Sequence, residues 1–334
     1  MEHSNNVICS QISYRRNIKD MPFVKTLTDT EQAVGIVRSM SEIFGEDFEF
    51  KALKNLSLNE CLRLEEESQI TKALIDNKDI SAYGKTDDLQ NFILINEQEH
   101  VRLISRFKGF NLQQCYQNAN RLDDILSEKL ELAFSTKYGY LTANPQLCGT
   151  GMQIVCLLFL PAITLNEKLN QLMNDNQSVS FEFFDLAGKK HDGKSAFVVV
   201  RNKYTFGFKE SEFAEQMQRF VQKVLQLEQR EESNIFDFSA SNLVDKIFRS
   251  YGIAKNAYRL SYDFALECIS NILWGINLKV LKAKNRFDIN EVLCNIKDNH
   301  LNVQDANVKE LEKVRARYLA RIIESQITKG EVDV

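Results

Sequence analysis

The sequence lacks several features that would mark a membrane or secreted protein. Its longest apolar stretch, Ile154 to Ile163, is broken by Pro161 and is about half as long as a membrane-spanning helix must be. The N-terminus has no basic cluster followed by an apolar run, so no secretory signal is expected. We therefore expect a cytoplasmic protein that makes no membrane contact.

Paired Cys-x-x-Cys spacing and closely spaced histidines are also missing. The seven cysteines are scattered and odd in number, which argues against a disulfide framework or zinc ribbon, and most should be reduced core thiols. Among the four histidines no two could form a helical metal pair, so no metal site is predicted. The net charge of −4 gives no general attraction to nucleic acid. The acidic runs Glu65 to Glu67 and Asp123-Asp124 are predicted to be solvated helix faces.

The chain has enough apolar sequence for a sizeable core. Its 334 residues are 44% hydrophobic and 26% charged, which favours two folded units. An apolar run at Asn91 to Asn96 predicts a strand, and helical periodicity from Asn111 to Ala133 predicts an amphipathic helix with Asn111 as its N-cap. The segments Val179 to Phe184 and Ala196 to Arg201 predict a hairpin-like pair of strands.

The rest of the chain has helical periodicity. A helix that begins at Ser211 is followed by Glu228 to Asn234, which is polar enough to predict a linker. Beyond it the apolar residues keep helical spacing in four segments: Ser241 to Tyr251, Ser261 to Lys282, Ile289 to Lys297 and Asn307 to Ile327. The sequence therefore predicts a first domain over residues 1–230 and an all-α domain over residues 235–328.

Four motifs occur in the order in which one enzyme family carries them. The segment Asn96-Glu97-Gln98-Glu99-His100-Val101-Arg102 is similar to the signature Asn-Glu-Glu-Asp-His-Leu-Arg. It is followed by three more: Lys137 to Thr142, Pro145 with Gly149-Thr150-Gly151, and Leu160-Pro161-Ala162. The chain thereby resembles the phosphagen kinases, the ATP:guanido phosphotransferase family.

The opening stretch narrows the resemblance. Val7 to Pro22 is similar to Leu-Ser-Ser-Arg-Ile-Arg-Leu-Ala-Arg-Asn, which opens the bacterial protein arginine kinases, and Arg16-Asn17 is kept. The helical C-terminal segment fits the same branch. The resemblance implies an α+β fold, with an antiparallel sheet flanked by helices, as in the glutamine-synthetase-like catalytic domain of guanidino kinases, followed by an all-α domain.

The resemblance also implies an arginine cradle for the phosphates of ATP and for Mg²⁺, and most of that cradle is missing here. Four of the family's five arginines align with uncharged residues: Gln11, Ser13, Gln153 and Phe184. Arg102 is the fifth and is the candidate nucleotide contact. A salt bridge from Arg102 to Glu99 or Asp123 is an equal alternative. ATP and Mg²⁺ are expected as cofactors only if nucleotide binding is retained.

Two carboxylates hold the substrate guanidinium in the family, and neither is present. Gln98 stands at one position and cannot carry negative charge or act as a base. Lys189 aligns with the other and would repel a guanidinium. The loss of one preorganised contact costs about 3 kcal/mol, or roughly two decades in rate. We therefore predict a degenerate active site with no catalytic residue.

Three functions remain open. The first is a pseudokinase that acts as a regulator or scaffold; the resemblance implies a second copy, a zinc-finger activator protein or Clp chaperone-protease components as partners. The second is an active protein arginine kinase in which Glu97 or Glu99 replaces the lost carboxylate and Lys189 and Lys190 hold phosphate. The third is a module that binds arginine or phosphoarginine without transfer.

The helical domain carries a partial match to the family's phosphoarginine-sensing motif, Arg-Asp-x-x-Arg-Ala. The match runs from Leu311 to Ala316, where Leu311 replaces the first arginine and Arg315 keeps the second. Arg315 is thus the candidate residue for a phosphoarginine pocket. The alternative is a plain core stripe on the same helix, formed by Val308, Leu311, Val314, Tyr318 and Ile322.

Overall fold

The computed structural model describes residues 6–177, 181–207, 209–284, 287–301 and 307–330. The helices are α1 (Thr30–Phe44), α2 (Leu58–Glu66), α3 (Lys72–Asp76), α4 (Leu112–Lys129), α5 (Pro161–Leu165), α6 (Leu169–Gln177), α7 (Glu210–Asn256), α8 (Tyr262–Asn277), α9 (Ile289–Asn295) and α10 (Val308–Gln326). The strands are β1 (Val7–Arg16), β2 (Glu49–Ala52), β3 (Ala82–Lys85), β4 (Asn91–Ile95), β5 (Val101–Lys108), β6 (Phe134–Ser135), β7 (Gly139–Tyr140), β8 (Met152–Phe159), β9 (Phe181–Phe184), β10 (Phe197–Asn202), β11 (Leu281–Ala283) and β12 (Ile327–Lys329).

An eight-stranded antiparallel sheet forms the centre of the molecule, in the order β2-β3-β4-β5-β1-β8-β10-β9. The strand expected at Asn91 to Asn96 is β4, and the expected hairpin-like pair is β9 and β10. The predicted start of that pair, Val179, lies outside the described residues. Strand β1 lies between β5 and β8, so it occupies the middle of the sheet.

Alternation along β1 assigns its side chains to two faces. Ile12 and Tyr14 are buried in a core that includes Cys115 and Ala119 of α4 and Val221 of α7. Helix α4 confirms the predicted amphipathic helix, although the Asn111 side chain makes no capping bond. The opposite face carries residues 11, 13 and 15, which face the candidate site.

The predicted linker at Glu228 to Asn234 is wrong, because α7 runs without interruption through it for 47 residues. Several of the segment's carboxylates contact neighbouring helices. Glu228 accepts the backbone N–H groups of Ala162 and Ile163 at 2.7 and 2.9 Å, at the start of α5. Glu232 accepts the indole N–H of Trp274 at 3.0 Å. A run of carboxylates that resembles a solvated linker therefore fixes α7 to α5 and α8.

The C-terminal region is helical, as predicted, and packs directly on the sheet. Its core includes Trp274 and reaches Phe159 of β8 and Phe197 of β10, whose rings lie 5.1 Å apart. Helix α8 ends at Asn277 rather than at Lys282, because Lys279 has a φ of +62° and the chain continues as β11, paired with β12. The predicted fold class is confirmed, with this short ribbon added to the helices.

Candidate active site

The candidate site lies on the face of the sheet that carries the odd-numbered side chains of β1. Arg15 pairs across the strands with Arg102 of β5, and Gln11 pairs with Arg106. Ser13 pairs with Gln153 of β8. Residues directly opposite one another on adjacent strands have side chains in contact range. Alternation along β1 therefore places Gln11 and Ser13, the two family arginine positions of the opening motif, on the same face as Gln153, the third such position, and Arg102.

Most of the signature segment at the end of β4 has a structural role. Asn96 has a φ of +58°, and its amide donates to the carbonyls of Ala33 and Ile80 at 3.0 and 2.8 Å. Glu99 is buried and accepts the amide of Asn17 at 2.6 Å. Both Glu99 oxygens also lie within 3.0 Å of the Ala143 N–H. These contacts hold the loop after β4 to neighbouring segments.

His100 belongs to the same framework. Its Nδ1 accepts the N–H of Ile18 at 3.0 Å, and its Nε2 lies 2.9 Å from the carbonyl oxygen of Pro22. An imidazole that accepts at one nitrogen and donates at the other is neutral. Burial lowers the pKa of His100, which favours the same neutral form.

Arg102 forms a buried ion pair with Glu97. Its Nη1 lies 3.2 Å from Glu97 Oε1, and the two residues are 8% and 4% exposed. Burial alone would raise the pKa of Glu97, but the charges of Arg102 and Arg15 together with the hydrogen bonds from Thr71 and Arg102 outweigh it, so that pKa lies below its usual range. The predicted partners Glu99 and Asp123 are wrong: Glu99 binds Ala143 and Asn17, and Asp123 binds a different arginine.

The two family carboxylate positions lie on exposed loops. Gln98 is exposed at the turn between β4 and β5. Lys189 is exposed in the turn after β9, where its N–H donates to Asp185 Oδ1 at 2.8 Å. Neither position provides an acidic side chain. The donor set on this face suits phosphate oxygens, whereas a guanidinium finds no carboxylate at the two positions.

Arginines outside the five family positions lie on this face, and reasoning from the sequence missed them. Arg15 Nη2 donates to Gln153 Oε1 at 3.0 Å. Arg106 donates from Nε and Nη2 to Gln11 Oε1 at 3.0 and 2.9 Å. Gln153 and Gln11, at two positions where the family has arginine, therefore accept hydrogen bonds from Arg15 and Arg106, which lie outside the family positions. Strand alternation alone could have indicated Arg15, which is two residues from Ser13.

A further cation lies on β10, on the same face of the sheet. Arg201 binds Glu182 of β9, with Nε and Nη2 both 3.1 Å from Oε2. Its Cζ lies 3.9 Å from the ring centroid of Phe184, the residue at the family's fourth arginine position. A positive charge is therefore present here on Arg201, against the ring of Phe184, and not at position 184 itself.

The candidate phosphoarginine residue, Arg315, is buried within the C-terminal region. Its Nε donates to the carbonyl of Ile296 at 2.7 Å, and its Nη1 donates to that of Leu260 at 2.9 Å. Its Nη2 binds Asp298. These contacts join α10 to two neighbouring segments, and the proposed pocket stays a prediction.

The C-terminal region also contacts the sheet domain through α2. His300 Nδ1 lies 2.8 Å from Glu66 Oε2, and Nε2 lies 3.0 Å from Glu67 Oε1. The amide of Asn299 donates to Glu66 Oε1 at 2.8 Å. The prediction that Glu65 to Glu67 form a solvated face is therefore wrong for Glu66 and Glu67. Glu67 and Ser68 further provide carbonyl acceptors for Arg106.

Neither a metal-binding cluster nor a membrane-spanning helix is found in the part of the chain that the structure describes. No group of three or more His, Cys, Asp or Glu residues in it is arranged to hold a metal ion. A bilayer-spanning helix is likewise absent from these ranges. All seven cysteines are free, and four are buried.

Comparison with known families finds a match in each of the two parts of the chain. The ATP:guanido phosphotransferase C-terminal catalytic domain matches residues 31–231, and the protein-arginine kinase McsB C-terminal domain matches residues 240–331. The chain belongs to the protein-arginine kinase branch of this family. It is 30% identical to a protein-arginine kinase of Clostridium botulinum over 95% of both chains, and 28% identical to that of Clostridium acetobutylicum over 94% of this chain and 93% of the other.

The fold agrees with the same family. The structure of a lombricine kinase superposes with a TM-score of 0.60 at 17% identity, over 70% of this chain and 69% of that one. At this identity the likeness shows the fold alone. The guanidino kinase fold inferred from the motifs is confirmed.

Proposed function

We propose that this protein-arginine kinase relative is a catalytically inactive pseudokinase that works in the cytoplasm as a regulator or scaffold. The observation that carries the proposal is the pair Gln98 and Lys189 at the two positions where the family binds guanidinium through carboxylates. Phosphoryl transfer depends on positioning and charge complementarity, so a neutral and a cationic side chain there leave the acceptor unheld.

The expected loss of phosphoryl-transfer rate is estimated from the free energy that each missing charge contact would contribute. Each preorganised charge contact contributes about 3 kcal/mol to transition-state stabilisation. Losses at residues that act as a unit do not add, so the total cannot be obtained by summation. Even one such loss slows transfer by roughly two decades.

The direct test is incubation of the purified chain with Mg-ATP and an arginine-rich protein, followed by mass spectrometry for acid-labile phosphoarginine. We expect no product, with the Clostridium botulinum relative as the positive control for the assay. The double variant Gln98→Glu/Lys189→Glu restores the two charges and is the matched attempt at rescue. Phosphoarginine formed by the wild type and abolished in Arg102→Ala would refute the proposal.

A rearranged active site is the second candidate, and one observation favours it. Glu97 is ionised beside Arg102, and its Oε2 is buried with no hydrogen-bond partner among the described residues. That oxygen could accept a substrate guanidinium, with Lys189 and Lys190 on phosphate. Glu97→Gln would then abolish transfer, whereas Glu99→Gln would act mainly through stability because Glu99 binds the Ala143 backbone.

The scaffold role requires a protein partner. By family resemblance we propose a second copy of this chain, a zinc-finger activator or components of a Clp chaperone-protease system. Light scattering of the purified chain tests the homodimer, and co-purification with each tagged partner tests the others. A monomer that captures none of them would refute this part of the proposal.

A further inference from the structure

An open cleft lies on the face of the sheet opposite the candidate active site. It is lined by Asn91 of β4 and by Leu122 of α4, and its volume is about 390 Å³, a size typical of small-molecule sites. Leu122 packs in one core with Leu103 of β5. Side chains alternate along β5, so Arg102 and Arg106 lie on the other face. The cleft is therefore separate from the positions where the family binds nucleotide.

Three charged side chains line the cleft without being neutralised. Arg121 on α4 and Asp47, which follows α1, make no side-chain hydrogen bond or ion pair within the described part of the chain. Asp88, in the turn between β3 and β4, uses one carboxylate oxygen: Oδ1 accepts the Thr86 hydroxyl at 2.6 Å and the Gln90 N–H at 3.0 Å. The cleft thus offers one free guanidinium and two carboxylates with free oxygens.

Two buried polar atoms beside these charges also lack partners. Asn91 Oδ1 and Ser105 Oγ have no hydrogen bond to any described residue. The two residues stand directly opposite each other on β4 and β5, and Ser105 is 0% exposed. Buried polar groups are normally bonded to protein, ordered water or a ligand. The Asn91 N–H donates to Thr86 Oγ1 at 3.1 Å, which fixes this wall of the cleft in place.

We propose that the cleft binds a free α-amino acid with an uncharged polar side chain. Arg121 holds its carboxylate, because the planar fork of arginine matches a carboxylate at two points. Asp47 and Asp88 hold its ammonium group. A zwitterion gives each of these charges a partner of opposite sign, whereas a simple anion or cation would serve only one kind. The amides of Gln90 and Asn118, which also line the cleft, suit a side chain that both donates and accepts hydrogen bonds.

This inference goes beyond the proposed function, since it needs neither an acceptor protein nor phosphoryl transfer. The experiment is calorimetry of the full-length chain with L-glutamine as the probe, and we expect saturable binding. Two analogues each lack one charge: N-acetyl-L-glutamine has no ammonium group, and L-glutaminamide has no carboxylate. In a mildly acidic buffer that keeps both free amines protonated, each analogue should bind about tenfold more weakly or worse, the effect of one lost charged hydrogen bond.

Variants of the cleft should each remove the preference for one end of the ligand. Arg121→Gln should weaken L-glutamine by about tenfold or more and leave L-glutaminamide unchanged, because that analogue has no carboxylate to lose. Asp88→Asn and Asp47→Asn should weaken L-glutamine and leave N-acetyl-L-glutamine no weaker. The Asp47 side chain makes no contact with the fold, so Asp47→Asn keeps the test valid if circular dichroism shows that Asp88→Asn disturbs the turn.

The matched control is Asp87→Asn, which removes a carboxylate from the same turn at an exposed residue outside the cleft lining. It should bind L-glutamine as the wild type does. Failure of the wild type to bind L-glutamine, or equal binding of all three ligands, would overturn the inference. Equal losses in Asp87→Asn and Asp47→Asn would overturn it as well. None of these results depends on whether phosphoarginine can be formed.

Discussion

Arg16 and Asp123 form a two-point ion pair that joins the central strand to helix α4. Arg16 Nε lies 2.7 Å from Asp123 Oδ1, and Nη2 lies 2.6 Å from Oδ2. The Arg16 side chain is fully buried, and that of Asp123 is 14% exposed. Arg16 Nη1 also donates to the carbonyl of Thr150 at 2.8 Å, and the guanidinium lies 3.6 Å from the ring centroid of Tyr140. Arg16, which is kept from the family's opening motif, therefore connects β1 to α4, to the turn at Thr150 and to β7.

Asp123→Asn should lower the free energy of unfolding by about 3 kcal/mol, because it removes the two-point partner of a buried charge and leaves Arg16 only the longer 3.7 Å contact with Glu210. Urea denaturation of the full chain measures the change. Glu215→Gln, which breaks the exposed pair with Arg219, is the control and should cost less than about 1 kcal/mol. Equal effects of the two substitutions would contradict a structural role for Asp123.

Gly151 should tolerate no side chain. It has a φ of +62°, and an added Cβ would lie 2.7 Å from the Arg15 carbonyl oxygen and 2.8 Å from Arg16 Nη1. Gly188 has a similar φ of +76° but open space around it. Gly188→Ala should therefore cost only the backbone strain of about 1–2 kcal/mol, whereas Gly151→Ala should cost clearly more. Thermal unfolding of both variants tests the difference, and equal Tm values would disprove the steric argument.

Glu228 should make stability depend on pH. Burial raises its pKa to about 8, from 4.5 in the unfolded chain, so between these values the folded state holds more protons than the unfolded state. Its contribution is fully present below pH 4.5 and is lost as the pH rises toward 8. Glu228→Gln cannot titrate, so its stability relative to wild type should increase across this range by up to about 1.4 kcal/mol per pH unit. A difference independent of pH would show that Glu228 stays ionised.

The contact between His300 and Glu66 should hold the C-terminal region against α2. His300→Ala removes the bonds to both carboxylates, and Glu66→Ala removes those to His300 and Asn299. A double-mutant cycle should give a coupling energy of about 0.5–3 kcal/mol, since the residues share a network. Hydrogen exchange should rise over residues 297–301 in each variant. A coupling near zero would mean that the contact adds no stability.

The parts of the fold that depend on local pattern are those that the sequence predicts well. The apolar run of β4 and the periodicity of α4 each lie within one segment, so the local pattern alone identifies them. The family motifs then supply the fold class, an antiparallel sheet flanked by helices, but not the order of its strands. The sequence offers Glu99 or Asp123 as salt-bridge partners of Arg102, whereas the structure pairs it with Glu97, because the geometry of the turn between β4 and β5 cannot be obtained from spacing.

Long-range contacts explain the remaining errors. Glu66 and His300 are 234 residues apart in sequence, so nothing near Glu66 indicates that a charge run is covered. Glu228 looks like a linker residue because a buried carboxylate is rare without partners, and its partners are N–H groups 65 and 66 residues earlier. In both cases a charged residue type predicts exposure to solvent, and the groups that bind the carboxylate come from distant parts of the chain.

The uninterrupted course of α7 has a practical consequence for dissecting this protein. At 1.5 Å per residue the helix is about 70 Å long and belongs to both halves of the molecule. Shortening the gene at codon 230 would sever the helix near its middle and leave Phe159 and Phe197 without the side chains that cover them. Expression of the sheet domain alone should therefore yield an aggregation-prone fragment, and biochemical work requires the chain in one piece.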